Sequence, residues 1–279
     1  MRVRATSRRR PDVTTSTIEA DRHFALVTGA SSGTGRDIAI ALAEDGCDVG
    51  VLGRRTAALE ETAQQIRALG RRACVLTADV CNEQAVAAAL EVFLAWSGGR
   101  ADVLVNAAGI TGPLGATVGE LGLADFDAVM ATNLRGPFLT MSHLLPVMCR
   151  QGNGRVVNIG GTHGMRGRAG RASYASSKWA LRGLTRSAAL EVGAHGVTAN
   201  VVAPGAIAVD RMRQRWADQA VAEGVTEELI LERYMQSLGV ALKRPNETAD
   251  VVATVRFLVG EGGRNITGQD IVVDGGVIV

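Results

Sequence analysis

The run Thr28-Gly29-Ala30-Ser31-Ser32-Gly33-Thr34-Gly35 limits what this chain can become more than any other stretch. It follows the apolar segment Phe24-Ala25-Leu26-Val27 and opens residues 36–44, which carry Ile38, Ile40 and Leu42 and read as a helix. A buried strand, a glycine-rich turn and a helix, in that order, make a phosphate cradle. Glycines take backbone angles closed to other residues and let the main chain approach a pyrophosphate. The free N–H groups and the positive end of the helix then hold the anion. A lone glycine motif is weak, but here the flanking strand and helix supply the context it requires. Gly29, Ser31, Ser32, Gly33, Thr34 and Gly35 are therefore candidate dinucleotide-binding residues.

The remainder alternates strand and helix at short intervals. Strands are expected at residues 48–53, 73–77, 102–105, 155–159, 197–203 and 269–273. Helices are expected at residues 56–69, 83–96 behind the cap Asn82, 126–150, 173–195 and 247–260, with Pro137 and Pro146 kinking the third. That alternation predicts an α/β fold, a doubly wound parallel sheet with helices on both faces, in one domain over residues 23–279. With 47% hydrophobic residues there is ample material for its core. Right-handed crossovers put the strand C-termini on one edge, where ligands bind. The glycine-rich residues 110–122 are a candidate substrate loop, and the helical insertion at 206–240 suits a lid over the site.

At the end of the second strand stand Gly53, Arg54 and Arg55. An acid there would bond a ribose 2′-hydroxyl, whereas arginine accommodates a 2′-phosphate, so Arg54 and Arg55 favour NADP over NAD. The competing reading is two arginines that begin a helix on a solvated face. Tyr174 and Lys178 are four residues apart, on one helix face. A phenol ionises too high to serve as a base at neutrality, and a nearby ammonium lowers that value, making an acid/base of it. On spacing alone such a pair is more often a surface contact.

Composition excludes several classes. A net charge of +2 gives no nucleic-acid signal, and the absence of a long apolar run gives no membrane span. Residues 1–22, with Arg2, Arg4, Arg8, Arg9 and Arg10, read as a disordered basic tail; a targeting arm, a nucleic-acid arm and a misassigned start codon are the alternatives. Cys47, Cys74, Cys81 and Cys149 lack metal or redox spacing and are expected to be buried free thiols in a reducing cytoplasm, with no metal site.

Taken in order, Thr28-Gly29-x-x-x-Gly33-x-Gly35, Asp79-Val80, Asn106-Ala107-Ala108-Gly109, Asn133, Tyr174-x-x-x-Lys178 and Pro204-Gly205 resemble the classical short-chain dehydrogenase/reductase pattern over essentially all but the tail. The resemblance implies a Rossmann-type fold, with Tyr174 as proton donor or acceptor, Lys178 as its partner, and Asn133 holding a water that relays protons to Lys178. It places Asp79 and Val80 against the adenine, Asn106, Ala107, Ala108 and Gly109 behind the cofactor, and Pro204, Gly205 and Ile207 beside the nicotinamide. It also implies a homo-oligomer, a dimer or tetramer.

Two positions depart from the family. Thirteen residues before Tyr174, where the family has a substrate-orienting serine, stands Gly161, and Val209 replaces a common threonine. Thr162 or His163 either takes over from the serine or merely lines the loop. The reading that follows is an NADP(H)-dependent interconversion of a ketone and a secondary alcohol, on a small substrate, free or carrier-bound. Elimination or epimerisation with internal redox, and cofactor binding without catalysis, are the alternatives.

Overall fold

The apolar runs become strands because each is covered on both sides, and a strand so enclosed needs branched or small apolar residues rather than strict alternation. In a computed structural model, which describes residues 23–279, seven parallel strands form one sheet among the described residues. They are β1 (His23–Thr28), β2 (Cys47–Gly53), β3 (Ala73–Thr77), β4 (Val103–Asn106), β5 (Gly154–Ile159), β6 (Val197–Pro204) and β7 (Asp270–Val273), in the order β3-β2-β1-β4-β5-β6-β7. The tail expected over residues 1–22 lies outside the described residues.

The helices are α1 (Gly33–Glu44), α2 (Thr56–Ala68), α3 (Glu83–Trp96), α4 (Leu123–Met130), α5 (Gly136–Gln151), α6 (Ala172–Val192), α7 (Asp210–Glu223), α8 (Glu227–Leu238) and α9 (Thr248–Val259). On one face, Val27, Val51 and Val105 pack with Ile38 of α1, Ile66 of α2 and Val255 of α9. On the other, Leu26, Leu52 and Leu104 pack with Phe93 of α3, Leu144 of α5 and Val192 of α6. Both halves of the expected doubly wound sheet are therefore present. The chain runs outward from β1 through β2 to β3, then returns to β4 on the other side of β1. That reversal opens a crevice at the C-terminal ends of β1 and β4.

Four polar side chains bind the sheet to its helices at the same edge. Asn106 Nδ2 donates to Asn158 Oδ1 at 2.8 Å, Thr140 Oγ1 to Asn106 Oδ1 at 2.8 Å, and Asn158 Nδ2 to Thr185 Oγ1 at 2.8 Å. All four are buried, so these bonds are what make their burial tolerable.

The single helix expected over residues 126–150 is a composite. It begins earlier, at Leu123, and between α4 and α5 the segment Ala131–Arg135 winds as a π-helix. Pro137 follows at the first turn of α5, and having no N–H it cannot close the ordinary bond to the residue 133 carbonyl. The irregularity thus falls just ahead of Pro137, while Pro146 sits within α5. The thiols also differ from expectation. Cys47 is buried, and burial pushes its pKa up to about 12, whereas Cys74, Cys81 and Cys149 are only partly covered. Among the described residues no helix is long and apolar enough to cross a membrane.

Packing between α3 and the sheet is close enough to dictate residue size. A Cβ at Gly50 of β2 would sit 2.7 Å from the Phe93 ring. Gly50→Ala is expected to lower stability by about 1–3 kcal/mol through overpacking, seen as a drop of several degrees in Tm.

Candidate active site

The crevice holds a cavity of about 590 Å³ lined from the ends of β1, β2, β4, β5 and β6. Its floor at β1 is the glycine turn. Gly29 has φ +71°, and a Cβ there would stand 2.7 Å from the Ala108 backbone nitrogen, so only glycine lets this turn lie against the end of β4. A Cβ at Gly35 would overlap the Gly29 carbonyl oxygen. The first turn of α1 carries no acidic residue and Ser32 gives it no side-chain cap, so its N–H groups face the cavity without a competing anion. These features fit a dinucleotide pyrophosphate.

Arg54 and Arg55 both line the cavity. Arg55 Nη2 donates to Ser31 O at 3.3 Å, Ser31 Oγ at 3.2 Å and Ser32 Oγ at 2.9 Å, which lays its guanidinium over the turn. Arg54 faces Asp79 at 3.9 Å across an exposed pair. Val80, Ala107, Ala108, Gly109, Pro204, Gly205 and Ile207 line the same space. Ser31, Ser32, Gly33, Thr34 and Asp79 do too.

Asn106 does not. Its side chain is consumed by Asn158 and Thr140, so it braces the sheet rather than the cavity. Asn133 is likewise fully buried, and it sits in the π-helical turn. Its Oδ1 accepts from Ile110 N at 2.9 Å, and its Nδ2 donates to Ile110 O at 2.9 Å and Ser177 Oγ at 3.0 Å. Both amide hydrogens are committed, so the side chain fastens the segment after β4 to α6, while Oδ1 keeps a second lone pair.

Tyr174 and Lys178, one turn apart on α6, do meet in the cavity wall. Lys178 Nζ lies 5.6 Å from the Tyr174 ring centroid and donates to the Ile159 carbonyl at 2.8 Å. Burial lowers the Lys178 pKa to about 8 and raises that of the Tyr174 phenol. The charges opposing burial at Tyr174 are Arg171 and Arg211. The Lys178 ammonium itself lies over the ring, with its bond directed to the end of β5.

Gly161 lies against the Tyr174 hydroxyl, where a Cβ would be 3.1 Å from Oη. The following residues form an ordered 3-10 turn, Thr162–Gly164. Gly160 N donates to Val202 O at 2.7 Å and Gly164 N to Gly161 O at 2.8 Å, and those bonds fix it. Thr162 and His163 both line the cavity. The His163 ring meets the Tyr174 ring edge to face at 5.7 Å, and its buried Nε2 has no hydrogen-bond partner. Burial lowers its pKa to about 4, helped by the Arg171, Arg168 and Arg166 charges.

Residues 206–240 contribute Val209, Arg211, Met212, Tyr234 and Leu238 to the cavity. They form their own small core around Trp216, Ala220 and Ile230. Val277 also reaches the site, and nothing local in the sequence signals it, because only the β7 register and the turn after it bring it there. Of residues 110–122, Ile110 and Thr111 take part in the lining.

A family model described as short chain dehydrogenase matches residues 23–220. The 3-oxoacyl-acyl-carrier-protein reductase FabG of Staphylococcus aureus is 35% identical, over 91% of this chain and 97% of its own. Among solved structures, NAD+-bound xylitol dehydrogenase superposes with a TM-score of 0.83 at 28% identity, covering 91% of this chain and 98% of that one. A single-residue variant of actinorhodin polyketide ketoreductase with NADPH gives 0.83 at 32% identity, covering 92% and 97%.

The buried imidazole has a measurable consequence. An unfolded histidine titrates at 6.5 and the folded His163 at about 4, so between these values the unfolded state binds more protons. The contribution of neutral His163 is whole above that window and is lost as pH falls through it. The Tm of His163→Gln is expected to fall less than that of wild type on acidification from neutral pH, as thermal scans across the window would show.

Proposed function

Because the chain belongs to the short-chain dehydrogenase family, we propose that it is an NADP(H)-dependent oxidoreductase that interconverts a ketone and a secondary alcohol. The family makes it an oxidoreductase with a nicotinamide cofactor. The observation that carries the reaction is Tyr174 on the cavity wall with the Lys178 ammonium over its ring. Support for NADP comes from Arg55, clamped to Ser31 and Ser32 where a 2′-phosphate would lie, with no carboxylate at the end of β2.

The turn of Gly29 to Gly35 would hold the pyrophosphate, Arg54 and Arg55 the 2′-phosphate, Asp79 and Val80 the adenine, and Pro204, Gly205 and Ile207 the nicotinamide. When bound, the dinucleotide supplies or accepts the hydride. With its phenol raised and Lys178 at about 8, the resting site carries a proton on both groups at neutral pH, the state needed to protonate a carbonyl oxygen. In place of the absent serine, neutral His163 turns its unpartnered Nε2 to the substrate oxygen, while Thr162 shapes the wall. The α7–α8 unit acts as the lid. Exposed Phe138 on α5 and Trp179 and Leu190 on α6 support a homo-oligomer.

Titration with NADPH and NADH, followed by turnover on a panel of ketones, tests this reading. Tyr174→Phe is expected to bind NADPH normally and lose activity by about 10²–10⁴-fold. Arg55→Ala is expected to weaken NADPH by about 10-fold or more while NADH changes little. Tyr174→Phe at wild-type rate, or equal affinity for the two cofactors in wild type, would overturn the respective assignment. His163→Ala is expected to cost about 10²-fold in kcat, as losing one donor to a developing oxyanion does. Adding Gly161→Ser to that variant is expected to restore part of the rate, read by steady-state kinetics.

A further inference from the structure

Around Tyr174 the cavity is lined by arginines that the ketone chemistry does not require. Arg166, Arg168 and Arg171 come from the segment before α6, and Arg211 from the first turn of α7. Among the described residues none of the four makes an ion pair with a carboxylate. Elsewhere on neighbouring elements acids are supplied: Arg182 and Arg186 share Asp270, Arg213 takes Glu247 and Arg233 takes Glu223. Arg166 is spent on carbonyls, donating to Leu238 O at 3.0 Å and Val277 O at 3.4 Å. Arg171 is different. It is half-buried, its Nη1 is shielded from solvent with no hydrogen-bond partner, and burial together with Arg168 and Arg215 presses its pKa down.

A half-buried guanidinium without a counter-charge is costly, and like charges around it add to the cost. The cavity carboxylates do not remove it: Asp79 faces Arg54 at the far end, and Asp210 makes no ion pair with these arginines. The cofactor's phosphates have their own site at α1 and Arg55. Arg171 and Arg168 share the cavity wall with Tyr174, and neither has a counter-charge among the described residues; the guanidinium fork has a shape that matches a carboxylate.

Resting on the reading of this cavity as a carbonyl-reducing site, we propose that the substrate is an oxo acid, whose carboxylate is received by Arg171 with Arg168 while its ketone meets Tyr174. In reduction the carbonyl carbon gains the hydride from NADPH and the carbonyl oxygen gains the Tyr174 proton. The C=O π bond breaks, NADP+ is left, and the carboxylate undergoes no bond change.

The test compares short aliphatic oxo acids with their own methyl esters, which differ only in charge. With NADPH saturating, wild type is expected to show kcat/KM at least about 10-fold higher for the acid, carried by KM and shrinking as salt rises. Arg171→Ala and Arg168→Ala are each expected to collapse the acid-to-ester ratio toward unity, and Arg171→Lys to retain part of it. Because the ratio is taken within one protein, a general effect on Tyr174 or on folding cancels. Calorimetric binding of the acids to protein saturated with NADP+ is read in parallel. Binding that Arg171→Ala abolishes, without turnover of either acid or ester, keeps the anion site and sinks the ketone-reduction reading instead. A wild-type ratio at or below unity, a ratio unmoved in both alanine variants, or absence of acid binding overturns the proposal.

Discussion

A side-chain bond in the middle of the sheet holds the site in place. Asn106 and Asn158 meet at the C-terminal ends of adjacent strands, and each then reaches outward, one to Thr140 on α5 and the other to Thr185 on α6. Buried amides must be satisfied, and a chain of such bonds loses more than one bond when any member goes. The helix that carries Tyr174 and Lys178 is thereby indexed to the strand whose last carbonyl, Ile159, orients the lysine. Asn133 adds a second clasp, tying the loop after β4 to Ser177 on the same helix. These three asparagines brace the structure so that neighbouring backbone can line the cavity.

Burial acts on the proton-carrying groups in opposite senses. It raises a phenol and lowers an ammonium or an imidazole, because in each case the charged form loses water. Tyr174, Lys178 and His163 all show that sign. The result is a wall on which histidine stays neutral, held so partly by arginines that would repel its protonated form. A serine at position 161 would have to share the 3.1 Å gap to the Tyr174 hydroxyl, so glycine there leaves the tyrosine more room.

What could be read in advance was what depends on short sequence range. The glycine turn, the alternation of strands and helices, and the Tyr174–Lys178 spacing are set by backbone angles and by neighbours within one turn. What escaped depends on contacts between distant residues. That Asn106 and Asn133 spend their amides internally follows from partners 34 to 52 and 23 to 44 residues away. The π-helical turn before Pro137 was visible only as a proline expected to bend a helix. The arginines before α6 carry no local signal of their setting, and it is tertiary packing that half-buries Arg171 in the cavity wall.

The Arg166 clasp gives the mouth of the cavity a character distinct from its floor. The floor is a sheet edge closed by many main-chain bonds, whereas at the mouth a guanidinium grips the last carbonyl of α8 and that of Val277, beside the apolar contacts of Leu238 and Val240. Those acceptors are the groups that urea and free guanidinium seek in a folded chain. The clasp therefore leaves the mouth, and not the sheet edge, open to competition for its acceptors.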